Sequence, residues 1–185
     1  MALETEGQGW VPVMLPRREP DLDDRVDLRV DAPLPFVLRW LENWNRSHHD
    51  DWSAPGTLQL HETVEMVGAS RVHRTIAIPL PRTGRLSSTQ TWLEYSSSRR
   101  WRTVAESKIA GELRSLAEYE EQVEDVGSFI VWSVHRRCWY VDSVRAQYQG
   151  FFARHRETSQ LRDVYGTEAS KLVRAFKNEE KFGPK

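Results

Sequence analysis

Arg74 is the residue whose position most needs a chemical explanation. The segment Arg71 to Leu80 alternates, so Val72, Arg74, Ile76, Ile78 and Leu80 share one face of a strand. A guanidinium on an apolar face is costly to bury unless it is paired or meets a ligand oxyanion. Arg74 therefore reads in two ways. It is an anion-binding group in a pocket, or a structural arginine that snorkels at a sheet margin or pairs with a carboxylate such as Glu62 or Glu121. Tyr119 is the second candidate, on one face of its strand with Leu113, Ser115, Ala117 and Val123. An inward phenol is a ligand donor or an acid, or else it reaches a backbone partner.

Other reactive groups are less telling. His48-His49-Asp50-Asp51 has the composition of a metal cluster, but neighbouring side chains point apart and no second ligand group has zinc spacing. The run reads as a solvated loop, and no metal is expected. The doublets Arg99-Arg100 and Arg136-Arg137, with Trp101 and Trp139 nearby, read as a nucleic-acid surface or a solvated rim. The formal charge of -1, from 26 basic and 27 acidic residues, gives no global field and favours the rim, so no nucleic-acid partner is expected. There is no glycine-rich phosphate loop, no nucleophile elbow and no helix-borne pair of zinc histidines, which argues against nucleotide chemistry and triad hydrolysis. No cofactor is expected.

Elements must position these groups. The length of 185 residues fits one domain. Residues 1–25 carry Gly, Pro and clustered charge without periodicity and read as an extended arm, followed by a single domain over residues 26–182. A short strand, Val26 to Val30, precedes the turn Asp31-Ala32-Pro33, and Phe36, Val37, Trp40, Leu41 and Trp44 then recur at helical spacing. From Leu58 to Arg137 the period is two, in segments near Leu58 to Val67, Arg71 to Leu80, Leu86 to Tyr95, Arg100 to Ser107, Leu113 to Glu124 and Ser128 to Arg137. Short turn signals such as Gly68-Ala69-Ser70, Ala110-Gly111 and Asp125-Val126-Gly127 make this an antiparallel meander. Asp142 can cap a helical segment carrying Val144, Tyr148, Phe151 and Phe152. Thr158 or Ser159 restarts it, with Leu161, Val164, Tyr165, Leu172, Val173 and Phe176 on one face and a bend at Gly166.

The fold class is thus α+β: a curved antiparallel sheet of about seven strands around a long C-terminal helix, with a short helix after the first strand. Space between helix and sheet is either filled or holds a ligand. Eight tryptophans serve the core or an aromatic-lined cavity. Cys138, the only cysteine, excludes an internal disulfide. Met1 to Pro16 lacks the basic start and apolar run of a signal peptide, and no stretch is long enough to span a bilayer, so a cytoplasmic location and no membrane insertion are expected.

The order of several pieces resembles the polyketide cyclase and aromatase branch of the Bet v 1/START-like (SRPBCC, helix-grip) superfamily, from about Val26 to Arg137. The pieces are Val30-Asp31-Ala32-Pro33, Leu41-Glu42-Asn43-Trp44, Arg74 followed by Pro79, Pro81 and Gly84, Arg102-Thr103-Val104, Glu118-Tyr119, Gly127-Ser128 and Trp132. Members of this kind fold a poly-β-ketone, usually delivered on an acyl carrier protein, and promote aldol ring closure and dehydration. The resemblance implies a helix-grip fold and an internal pocket for a hydrophobic or aromatic small molecule, in a monomer or homodimer. Arg74 takes the place of the family's pocket arginine, as an enolate-stabilising cation. His49 or Tyr119 then moves protons, and Trp44, Trp92 and Trp132 are pocket walls. Val72 and Ile76 flank Arg74 on its face. This chain departs from the family pattern at Val72, where a hydroxyl residue can precede the arginine. It departs again where His48, His49 and Trp52 replace a tyrosine after the first helix, and at Val134, with His135 beside it, in the final strand. Trp52, Val72, Ile76 and His135 complete the expected binding set. The alternative is a non-catalytic carrier or sensor in the same fold, which needs the cavity but no positioned acid and base. A third reading is an interaction module with a filled interior.

Overall fold

Alternation in the last strand sets the architecture. From Ile130 to Cys138 each even-numbered side chain is buried, while Val131, Ser133, His135 and Arg137 between them are half-buried. One face of that strand therefore belongs to a core and the other to solvent. The computed structural model describes residues 13–46, 61–68, 70–80, 83–148 and 151–182. Its elements are β1 (Leu22–Val30), α1 (Leu34–Arg46), β2 (His61–Gly68), β3 (Arg71–Pro79), β4 (Leu86–Ser97), β5 (Arg100–Ile109), β6 (Glu112–Asp125), β7 (Ile130–Tyr140), α2 (Asp142–Tyr148) and α3 (Phe151–Phe182).

The described strands form one seven-stranded sheet in the order β1-β7-β6-β5-β4-β3-β2, every neighbouring pair antiparallel. Tight turns join the meander as the sequence suggests. Ala110 and Gly111 take positive φ between β5 and β6, the twist that a two-residue hairpin turn needs. Between β6 and β7 the Asp125 carboxylate accepts from the Gly127 amide at 2.8 Å. β1 begins at Leu22 rather than Val26, so Leu22 to Arg25, expected in the arm, pair with β7. Asp24 hid this start in the sequence, because a carboxylate interrupts the apolar parity of Leu22, Val26 and Val30. Residues before β1 also follow β7: Asp21 N–H donates to the Cys138 carbonyl and the Trp139 indole to the Arg18 carbonyl.

Both α1 and α3 lie on the concave face. Val37 and Leu41 of α1, and Leu161, Tyr165, Ala169 and Leu172 of α3, close over Val30, Val72, Leu93, Trp101, Val123, Trp132 and Val134 of the sheet. The helices touch through the edge-to-face pair Phe36–Phe176 and the bond from the Trp40 indole to Glu168. α3 is continuous through Thr158, Ser159 and Gly166, contrary to the expected restart. Serine and threonine prefer caps but are tolerated inside a helix held by tertiary packing. Val164, assigned to the buried face, is 40 % exposed, and the stripe runs instead through Leu161, Tyr165, Ala169 and Leu172.

Leu172 has no solvent-exposed surface and joins α3 to the sheet. Its truncation leaves a void that a close-packed core fills only in part. Leu172→Ala is expected to lower unfolding free energy by about 2 to 5 kcal/mol, measured by urea denaturation. A loss below about 1 kcal/mol would mean that α3 does not close the core.

Candidate functional site

Cross-strand rows on the concave face locate the candidate groups. One row reads Asp24, Arg136, Tyr119 and Thr103 across β1, β7, β6 and β5. The next reads Cys138, Ala117, Ala105, Thr91 and Arg74, and a third Tyr140, Ser115, Ser107, Thr89 and Ile76. The far half of this face, around Trp132 and Val134, is dry core under the helices. The rows named here carry small and hydroxyl side chains instead. Thr89, Thr91, Thr103, Ser107, Ser115 and Ala117 are only half-buried although they point inward from the middle of the sheet. Small inward side chains keep accessible surface where they are not fully covered, so among the described residues this half of the face is a partly open recess. It is closed on the β1–β7 side by a second apolar cluster of Leu22, Cys138, Tyr140 and Val144, against which Ala117 packs. Its hydroxyls bond locally, as in Thr89–Ser107 at 3.3 Å.

Tyr119 stands at the border between core and recess. Its side chain is half-buried, yet burial pushes its phenol up to about 12, with the neighbouring Arg136 pulling the other way. Arg136 is 6 % exposed. Asp24 holds it by two near-parallel bonds, Nε to Oδ1 at 3.0 Å and Nη2 to Oδ2 at 2.9 Å. Nη2 also donates to the Glu157 carbonyl of α3 at 2.9 Å. The Arg136-Arg137 doublet is therefore not a solvated rim. Arg137 alone faces outward, to Glu118 and Glu120, because consecutive strand residues face opposite sides. Parity with Trp132 and Val134 was the signal in the sequence that marks Arg136 as internal.

Arg74 shares the concave face, as its parity suggests, and its Nη2 donates to the Asn45 carbonyl at 2.8 Å. Asn45 lies in the last turn of α1, whose carbonyls lack intrahelical partners and favour a cation. Arg74 thus ties α1 to β3. Glu121, one of the carboxylates proposed for it, is engaged elsewhere. Ile76 lies in the recess row, one pair beyond Arg74.

Several expected pocket residues lie elsewhere. Val72 is 2 % exposed and part of the core. Trp132 is fully buried and packs edge-on against Trp44 at 5.7 Å and Tyr165 at 5.2 Å, so both tryptophans fill the core rather than wall a pocket. Trp92 occupies the outer face, stacked on its register partner His73 at 5.2 Å. His135 is also on the outer face, bonded to Asp23 at 2.6 Å, in a depression of about 510 Å³ with Arg25, Arg100 and Arg102. The reason is strand parity: Leu93 and Val134, the neighbours of these two residues, take the inward positions. His48, His49 and Trp52 lie outside the described residues. Among the described residues no cluster of His, Cys, Asp and Glu could hold a metal ion, and no helix is long and apolar enough to cross a membrane.

No protein-family model matches the sequence, and no curated protein matches it. Solved structures do share the fold. The di-domain ARO/CYC StfQ from the steffimycin biosynthetic pathway aligns with a TM-score of 0.55 at 12% identity, over 87% of this chain and 53% of that one. A second di-domain ARO/CYC, BexL, gives 0.50 at 12% identity over 85% and 50%. The protein TTHA0849 from Thermus thermophilus gives 0.59 at 10% identity over 83% and 98%. This chain spans about half the length of each di-domain protein. At these identities the likeness is one of fold, and the fold is the helix-grip arrangement that the sequence suggests.

Glu121 is the functional-looking group that sequence reading noticed only as an ion-pair partner. It is 3 % exposed and accepts from the Trp132 indole at 3.0 Å and the Tyr165 hydroxyl at 3.3 Å. Burial pushes its carboxyl up to about 7, against the pull of these donors and of the nearby Trp101 indole. A carboxyl raised in the folded state stabilises the fold below its ordinary value of 4.5, and that contribution is lost as pH rises through about 7. Unfolding free energy is expected to fall by roughly 3 kcal/mol between pH 4.5 and pH 7 from this group. Glu121→Gln is expected to flatten that slope in denaturant titrations at several pH values. An unchanged slope would assign the pH dependence to other groups.

Proposed function

We propose that this domain is a polyketide aromatase/cyclase-like enzyme that promotes aldol cyclisation and dehydration of a poly-β-ketone in the concave-face recess. The observation that carries this reading is the pairing of a hydroxyl-lined recess with an inward phenol at its edge, Tyr119. A poly-β-ketone presents a carbonyl on every second carbon, and the hydroxyls of Thr103, Ser115 and one of the pair Thr89–Ser107 offer it donors, the Thr91 hydroxyl donating to the Arg74 carbonyl. Ala105 and Ala117 between them leave room for the chain. Tyr119 and Arg74 lie three strands apart, about 14 Å at ordinary strand spacing, so only a long ligand meets both. In this reading Tyr119 donates the proton, Arg74 stabilises an enolate at the other end of the recess, and His49 is the second proton carrier. An acyl carrier protein delivers the chain. The shared fold with the two ARO/CYC proteins supports this substrate class.

A carrier or sensor of a hydrophobic small molecule is the second reading. One observation favours it: the Arg74 guanidinium already donates to the α1 backbone, so the cation expected to act on substrate has a structural task. Product profiles separate the two. Carrier-bound poly-β-ketone would be given to the protein, to Tyr119→Phe, to Arg74→Ala and to buffer alone, with products resolved by liquid chromatography and mass spectrometry. The native protein is expected to shift products toward one cyclised aromatic. Tyr119→Phe should lower that product about 10²- to 10⁴-fold, the range for loss of a positioned acid. Four matching profiles would sink the cyclase reading and leave the carrier.

A further inference from the structure

An edge strand exposes backbone groups that another strand can pair with, and proteins commonly guard such edges with charge. β1 is one edge of the sheet, and among the described residues it pairs with β7 alone. α3 does not seal its concave side, because a groove of about 560 Å³ runs between Leu28 and Arg29 of β1 and Gly166, Ala169 and Val173 of α3. A Cβ built on Gly166 would meet nothing within 4 Å, so the flank of α3 beside this edge is bare.

The outward side chains of β1 alternate in sign: Asp23, Arg25, Asp27 and Arg29, all exposed. When β1 is set antiparallel to a second β1 with Val26 facing Val26, all nine residues of Leu22–Val30 overlap. In that register Asp23 faces the second copy's Arg29 and Arg25 faces the second copy's Asp27, each pair occurring twice by symmetry. Opposite charges directly across a strand pair stabilise it and like charges oppose it. Sliding by two residues in either direction puts Asp against Asp and Arg against Arg at each outward position of the overlap. Sliding by four restores the match, but nine residues less four leaves an overlap of only five. The longest register is therefore also a complementary one. On the concave side Leu22 meets Val30 and Val26 meets Val26, while Asp24, opposite Leu28, stays bonded to Arg136. Within one chain the outward groups form partly or fully solvated pairs, Arg25 to Asp27 at 3.0 Å, Arg29 to Asp31 at 2.9 Å and His135 to Asp23 at 2.6 Å. Exposed pairs of this kind contribute little and can exchange partners.

We propose that two copies of this chain associate through their β1 edges, antiparallel about a two-fold axis at Val26, into one continuous sheet of twice seven strands. The contact stays clear of the recess hydroxyls on β4, β5 and β6, because β7 lies between. The inference is independent of the reaction proposed above.

Sedimentation velocity of the full chain over a series of concentrations reads the association directly. The native chain is expected to form a reversible dimer. Arg25→Asp and Asp27→Arg each set like charges across the axis and should weaken that dimer at least about 10-fold. Both side chains are more than half exposed, at 62% and 52%, so the fold should survive, which thermal unfolding checks. The double variant carrying both substitutions restores opposite signs and should dimerise as the native chain does. The two single variants mixed in equal amounts should form a heterodimer, because the acids of one then face the arginines of the other. A native chain that stays monomeric throughout, or a dimer indifferent to both single variants, would overturn the proposal. Single variants that lose the dimer while neither the double variant nor the mixture regains it would overturn it too.

Discussion

A single helix cannot cover seven strands. The sheet is about 29 Å across at ordinary strand spacing and its longest strand exceeds about 40 Å, whereas a helix with its side chains is about 10 Å wide. α3 and α1 together close one stripe of the concave face, where Trp132, Val134, Val30 and Leu172 lose all or nearly all contact with water. The rest must be filled by large side chains or left open. Toward β1 and β7 the cluster of Leu22, Cys138, Tyr140 and Val144 fills it, and between that cluster and Arg74 the chain places alanine, serine and threonine. Composition within the sheet thus answers a shortage of cover, and the recess follows from it.

The same two-sidedness sorts the charges. On the outer face Arg71–Glu94, Arg137–Glu120 and Arg25–Asp27 are solvated pairs, which contribute little each. On the inner face Asp24–Arg136 is nearly dry, so each of its bonds matters more, and the loss of one partner strands a charge. Glu121, a second inward acid among the described side chains, is held by neutral donors alone among its described partners. It is therefore held in place by its surroundings rather than by a counter-charge.

Much of the fold was legible because period two and period 3.6 are written in the apolar residues. The six meander segments, the short first helix and the inward parity of Arg74, Tyr119 and Ala117 all follow from that alternation. The site was less legible, for reasons that particular residues make plain. Trp92 and His135 were chosen by type, yet parity sends them outward, opposite their neighbours Leu93 and Val134. Arg136 was hidden by Arg137, because a doublet looks like one surface feature when its halves face opposite sides. The partner of Arg74 is a backbone carbonyl, which no side-chain pattern can announce. The pairing of β1 with β7 is likewise a long-range fact, and it explains why Asp24 could be inward.

That pairing bears on how the chain is made. Among the described strands β1 hydrogen-bonds only to β7, whose residues follow it by roughly 100 positions or more. During synthesis at about 5 to 20 residues per second, several seconds separate the emergence of the two strands. Throughout that interval β1 has no sheet to join, while β2 to β6 can zip sequentially through short hairpins. Closure of such a distant contact comes late and slowly. The Asp24–Arg136 pair forms only at that last step, so the acid and its arginine meet only after the rest of the sheet is in place.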